Sequence, residues 1–382
     1  LHEIGYKDKV SIGEREFHIQ TGSDSDKNRL LSEVFEKGRF IFSFSEPYSI
    51  RHEIDNVLSE DYLKSVTYDL HASIQEEIQL LFNIQDRLET MPQAQPHYRL
   101  GKVFFARNFL EEARRQFTIT IERQPEFLRA YKYLGLTYLK LRQFNAAAEV
   151  LLRANKQKPN LPDILDCLGV VSTQIGDYEN AKNFLQEAIS LKANLLESNF
   201  NLGVVLFLST LNNDADDNNI VIPTRILRAM KQIRELENYQ DDSWQSRFER
   251  VLEIFKTGKK KEIISAITEL QLQITTREDL GTVMDFFFLK FMFGGRELND
   301  EEMEFYEKRI YEEASKRNGF ADYWNELGIV HLIQCRDYFL KALREMEKAV
   351  EINPKYESAQ NTLELMKHSK KGFLILLRAL LK

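Results

Sequence analysis

The chain has 382 residues, 43% of them apolar, which is enough to bury either a large core or an extended one. Its 52 basic and 59 acidic residues leave a net charge of −7, which argues against a nucleic-acid partner, because such a partner calls for a basic face. Two cysteines, Cys167 and Cys335, exclude a disulfide framework, and no apolar run is long enough to span a bilayer.

In residues 6–45 apolar and polar residues alternate: Val10 and Ile12, then Phe17 and Ile19, then Leu31 to Phe35, then Phe40, Phe42 and Phe44. Gly13-Glu14, the polar stretch Gly22 to Asp26, and Glu36-Lys37-Gly38 separate these runs. Period-two alternation between glycine-bearing turns predicts four strands in two hairpins. A sheet that small needs a cover, so it either caps the neighbouring helices or offers an edge to a partner's sheet. Lys7, Asp8 and Lys9 would blunt such an edge, which favours the cap. A polar connector, Glu46 to Ser59, leads to a long helix at 61–89 with Ser59 as its cap. Its stripe is Leu63, Val66, Leu70, Ile74, Ile78, Leu81 and Leu88; the fours from Val66 to Ile78 break a heptad and favour packing on a neighbour.

From Pro96 onward a period takes over. Leu-Gly stands at Leu100-Gly101, Leu134-Gly135, Leu168-Gly169 and Leu202-Gly203, each 34 residues after the last. Each unit then places an apolar first helix, a break, and a second helix with Ala113 and Phe117, Ala147 and Leu151, or Ala181 and Leu185. Pro125 and Pro159 end units, since proline has no place inside a helix. Gly101, Gly135 and Gly169 are expected to face Ala113, Ala147 and Ala181, letting two helices cross closely.

Asn212 to Asn219 is rich in Asn and Asp. Asp214, Asp216 and Asn218 imitate a calcium loop, but Asn219 fills the glycine slot and Arg225 the bidentate one, so a solvated insertion is the reading. Helices are expected at 223–238, 244–256, 260–275, 279–293 and 299–317. Among them Ile263, Ile264, Ile267, Leu270 and Ile274 make one amphipathic face. Lys259, Lys260 and Lys261 form a basic turn, read as solvated, with a phosphate or acidic-partner site as the sharper alternative. Asp285 to Phe293 is the most apolar stretch. Leu-Gly returns at Leu327-Gly328, with Trp324, Ala342, Met346, Ala349 and Pro354 around it, predicting a further unit over 321–356 and one solenoid from 96 to 356. The tail 372–382, with Phe373, Leu374, Ile375, Leu376 and Leu377, is expected to cap the last unit, to self-associate, or to touch a membrane surface.

The Leu-Gly pair, the spaced alanines and the closing proline resemble the tetratricopeptide repeat family over 94–127, 128–161, 162–195 and the first helix at 196–208. Ser172 and Ala193 depart from that pattern. The resemblance implies a mostly α fold: a helical-hairpin solenoid with a small N-terminal β-hairpin cap. The expected division is 1–58 for the β region and linker, 59–92 for the long helix and 93–209 for the repeats. The acidic loop at 210–221, degenerate helical repeats at 222–320 and a C-terminal repeat with capping helices at 321–382 complete it.

The resemblance also implies a non-enzymatic scaffold that binds a protein or peptide on its concave face. Some relatives grip a terminal carboxylate with Lys, Asn and Arg; here the matching slots hold Tyr98, Lys102, Tyr133, Asp163 and Cys167, or one repeat on Lys132, Leu136, Cys167, Glu197 and Asn201, and neither set makes that clamp. The groove is read instead as Tyr98, Lys102, Phe105, Lys132, Leu136, Leu139, Val170, Phe200, Val204 and Phe207, suited to an amphipathic helix, with the protein's own 61–89 helix as one occupant. The alternative is that these side chains are core between repeats. No GxxxxGK[ST] loop, HExxH, paired CxxC or GxSxG turn occurs, and the seven histidines are dispersed, so no catalytic residue, cofactor or metal is expected. A structural subunit of a larger assembly is the second reading of function. The start at Leu1 rather than Met suits a fragment or processed product, and without a leader segment the expected location is cytoplasmic.

Overall fold

The computed structural model describes residues 5–24, 28–48, 60–192, 196–211, 220–236, 239–277, 282–295, 299–316, 321–355 and 357–367. The Asn/Asp stretch 212–219, the tail 372–382 and most of the connector before residue 60 lie outside them. The chain divides into a unit at 1–279 and a unit at 280–382.

In the first unit, β1 (Gly5–Ile12), β2 (Arg15–Asp24), β3 (Arg29–Glu36) and β4 (Arg39–Pro47) form one antiparallel meander in chain order. The alternation buries Phe17, Ile19, Thr21 and Ser23 of β2 together with Leu30, Ser32 and Val34 of β3. Two details differ from expectation. β2 runs through Asp24, so the turn falls later than Gly22, near Asn28 with its φ of +51°. A register shift between Val34 and Phe35 changes the phase of β4, leaving Phe42 buried and Phe40 half exposed.

The cover for this sheet is α1 (Glu60–Leu88), which packs on β1, β2, β3 and on α2 (Ala94–Ala106). Phe17, Phe82, Phe104 and Phe109 join sheet, α1 and first repeat, with ring centroids 5.5–6.0 Å apart. A polar line crosses the same interface: His71 Nδ1 lies 2.9 Å from Thr21 Oγ1, which lies 2.8 Å from Ser32 Oγ. Arg15 pairs with Glu36 (2.7 Å) and with Glu112 of α3 (Leu110–Arg123), and Asn108 donates to the Ile41 carbonyl at 2.9 Å. The sheet thus seals the first end of the repeats.

Four helical hairpins follow: α2 with α3; α4 (Leu128–Lys140) with α5 (Phe144–Gln157); α6 (Pro162–Ile175) with α7 (Tyr178–Leu191); and α8 (Leu196–Leu211) with α9 (Thr224–Arg234). In the first three, the residue seven places after the glycine turns the chain in the left-handed region: Asn108 and Arg142 at φ +57°, Gly176 at +90°. A Cβ built on Gly101, Gly135 or Gly169 meets Phe117, Leu151 or Leu185 at 2.7, 2.7 and 2.4 Å. The notch therefore admits the bulky residue of the second helix, not the alanine one turn earlier.

Within the first unit, the expected hairpin stacking does not continue past α9. α10 (Asp242–Thr257) is followed by α11 (Lys260–Thr275), which packs on α10 and across α4, α6 and α8. Neither α10 nor α11 contains a glycine, so neither offers the notch that sets the repeat spacing.

The second unit holds α12 (Thr282–Phe293), α13 (Asp300–Lys316), α14 (Ala321–Ile352) and a helix at 357–367. Its core gathers Met284, Phe287, Met303, Tyr306, Ile310, Leu327, Val330 and Ile333. The further repeat expected at 321–356 is not a hairpin, because α14 runs unbroken through it. Seven places after Gly328 stands Cys335, within the helix and not at a left-handed turn, and a Cβ on Gly328 meets no atom of the described residues within 4 Å. No helix among the described residues is long and apolar enough to cross a membrane.

Candidate partner-binding face

The first helices α2, α4, α6 and α8 pack side by side, and the residues of the expected groove lie along them. Every apolar side chain of the expected groove is buried: Tyr98, Phe105, Leu136, Leu139, Val170, Phe200, Val204 and Phe207. At the first end the burial is aromatic pairing between α2 and α4. Tyr133 lies 5.8 Å from both Tyr98 and Phe105, and Tyr98 lies 4.8 Å from Phe127. Half-buried Lys102 sits over the Tyr133 ring at 5.8 Å, and Lys140 over Phe105 at 4.2 Å. Lys132 is tied to Asp163 at 2.9 Å.

At the other end a helix of the same chain completes the burial. Phe200, Val204 and Phe207 share one core cluster with Ile263, Ile267, Leu270 and Ile274 of α11. Polar contacts run beside it: Arg142 pairs with Glu269 at 2.5 Å, Gln174 donates to the Thr268 carbonyl at 3.3 Å, and Gln271 reaches the Asn201 carbonyl at 3.5 Å. α1, the occupant suggested by the longest stripe, is committed to the sheet and α2 instead. The signal for α11 was its period, with Ile263, Ile267, Leu270 and Ile274 recurring on one helical face.

The carboxylate-clamp slots are engaged internally. Asn201 Nδ2 donates to Asp166 at 3.1 and 3.2 Å, and burial pushes the Asp166 carboxyl above its ordinary range. Burial also pushes the Cys167 thiol up to about 12, so it is a protonated core residue and not a nucleophile at neutral pH.

A family profile described as "Tetratricopeptide repeat" matches residues 98–162, and another with the same description matches 168–195. Residues 98–195 carry tetratricopeptide repeats. A TPR repeat-containing protein of Pseudomonas aeruginosa is 30% identical to the chain over 84 residues, 22% of this chain and 14% of that relative. Among solved structures, YrrB, described as a TPR protein with an unusual peptide-binding site, is 17% identical with a TM-score of 0.31, over 52% of this chain and 94% of its own. MamA is 17% identical with a TM-score of 0.34, over 47% of this chain and 100% of its own. Tetratricopeptide repeats support a protein–protein interaction scaffold as the function class here.

Where the repeats meet α1, one buried histidine carries a pH consequence. His97 Nδ1 donates to Gln116 Oε1 at 2.6 Å, and Nε2 accepts from Arg123. Burial, then the Arg123 charge, hold its pKa below the ordinary 6.5, while the Gln116 bond opposes them. A depressed histidine contributes stability that is whole above the unfolded value and is lost as pH falls toward the folded one. Between pH 7 and pH 5 the wild-type melting temperature is expected to fall more steeply than that of His97→Asn, which keeps a donor toward Gln116 but does not titrate. Parallel slopes in thermal melts would rule this out.

Proposed function

We propose that this protein is a non-enzymatic scaffold whose inner face receives an amphipathic helix, and that α11 holds that place when no partner is bound. The receiving line is Tyr98, Lys102, Phe105, Lys132, Leu136, Leu139, Val170, Phe200, Val204 and Phe207. The observation that carries the reading is the seating of α11 across α4, α6 and α8, with Ile263, Ile267, Leu270 and Ile274 in one cluster with Phe200, Val204 and Phe207. A partner helix with the same spacing of apolar residues would meet the same chemistry.

The test uses a fluorescent peptide of residues 259–277, added to the full-length wild type and to Ile267→Ala. In the wild type the resident helix competes in cis, so apparent affinity falls by the fraction of open molecules. Truncating Ile267 weakens that competitor by about 2 kcal/mol or more, which corresponds to at least roughly tenfold tighter peptide binding. Equal affinity for the two proteins, or no binding to either, would overturn the proposal.

A further inference from the structure

Beyond the receiving line, α10 and α11 enclose a cleft of ≈ 450 Å³ between them. Its floor is apolar, made by Val251 and Ile254 of α10 with Ala266 and Leu270 of α11. Its rim carries Arg247, Arg250 and Lys261 against Glu262 and Glu269, so the formal count alone is nearly balanced.

The balance changes once existing bonds are assigned. Glu262 accepts from the Lys259 backbone N–H at 2.9 Å, which caps α11, and Glu269 is held by Arg142 and by Gln273 at 3.0 Å. Arg247 stacks on Trp244 at 4.8 Å. Arg250 and Lys261, both exposed, have no hydrogen-bond or ion-pair partner among the described residues. The cleft therefore presents two uncommitted cations beside an apolar floor, on a chain whose net charge is −7. Of the basic turn at 259–261, Lys261 is the residue that lines it.

We propose that this cleft docks an acidic amphipathic helix of a partner protein, with aliphatic side chains on the Val251–Leu270 floor and carboxylates toward Arg250 and Lys261. The lining of α11 from Lys261 to Gln273 spans about 18 Å at the helical rise, room for roughly three turns of a second helix. Two exposed cations confer orientation and salt dependence, and the apolar floor confers most of the affinity. The cleft lies between α10 and α11 and shares Glu269 and Leu270 with the seating of α11 on α4, α6 and α8, while Arg250 and Lys261 belong to the cleft alone.

The probe is a fluorescein-labelled 14-residue peptide with Leu at positions 3, 7 and 10 and Glu at the flanking positions, titrated by anisotropy into the full-length protein. Saturable binding is expected, weakened about tenfold or more by Arg250→Glu with Lys261→Glu and progressively by added salt. Both substitutions are on exposed positions, and circular dichroism checks that the fold persists. Absence of binding, equal affinity of the charge-reversed variant, or equal binding of a peptide with Lys in place of Glu would each overturn the assignment. An unchanged affinity in high salt would do so as well.

Discussion

Replacing Ile267 with Asp is expected to cost the 1–279 unit about 4 kcal/mol or more, much of the 5–15 kcal/mol that a domain of ordinary stability possesses. Ile267 is fully buried within the cluster that joins α8, α9, α10 and α11. The substitution removes a well-packed aliphatic side chain and puts a carboxylate in its place with no cation in the cluster to meet it. Ser265, two residues earlier, is exposed on the same helix, so Ser265→Asp is expected to change stability by less than about 0.5 kcal/mol. The contrast separates loss of the seated face from a general effect of negative charge on α11. Urea unfolding followed by Trp244 fluorescence reads this unit alone once Trp324, in the other unit, is changed to Phe. Similar midpoints for Ile267→Asp and Ser265→Asp would mean that α11 is not held on α4, α6 and α8 as described.

That helix also marks where reading the sequence stops. Leu-Gly at a 34-residue period locates α2, α4, α6 and α8 directly, because a glycine notch and an apolar stripe are local properties. The strands are legible for the same reason: alternation tells which of Phe17, Ile19 and Val34 point inward. What fails is whatever depends on distant closure. α9 is the second helix of the fourth hairpin, but an Asn/Asp-rich insertion displaces Ile226 from the position where the period would place it. The extra residue, Ile41 of β4 opposite Val34 and Phe35, shifts Phe40 away from the phase set by Phe42, and no composition signal announces it. α11 has a clear apolar stripe, yet a stripe does not name the surface that will cover it. α1 has a longer one, and the sheet had first claim to it. Whether Phe200, Val204 and Phe207 face a partner or the chain itself was therefore open in the residues, since both settings demand the same apolar side chains.

Glycine substitutions distinguish true repeats from the imitation at 321–356. Alanine at Gly169 would set its methyl 2.4 Å from Leu185 Cγ, with Leu185 itself fully buried and its branch point unable to swing aside. Overpacking of that kind costs about 1–3 kcal/mol, against a gain of up to about 1 kcal/mol from helix propensity, so a net loss is expected. Leu185→Ala alone opens a cavity worth about 2–5 kcal/mol. In the double variant the new methyl lies in that cavity and the propensity gain is released, so Gly169→Ala should become neutral or stabilising in the Leu185→Ala background. The coupling from the double-mutant cycle is then positive by about 1–3 kcal/mol in favour of the pair. Gly328 is the control that the fold supplies. It lies within the unbroken α14, and no atom of the described residues lies within 4 Å of a Cβ built there, so Gly328→Ala keeps the propensity gain without the clash and raises the melting temperature of its unit. A penalty at Gly328 matching that at Gly169 would require 321–352 to fold back as a fifth hairpin, with a second helix packed into the notch.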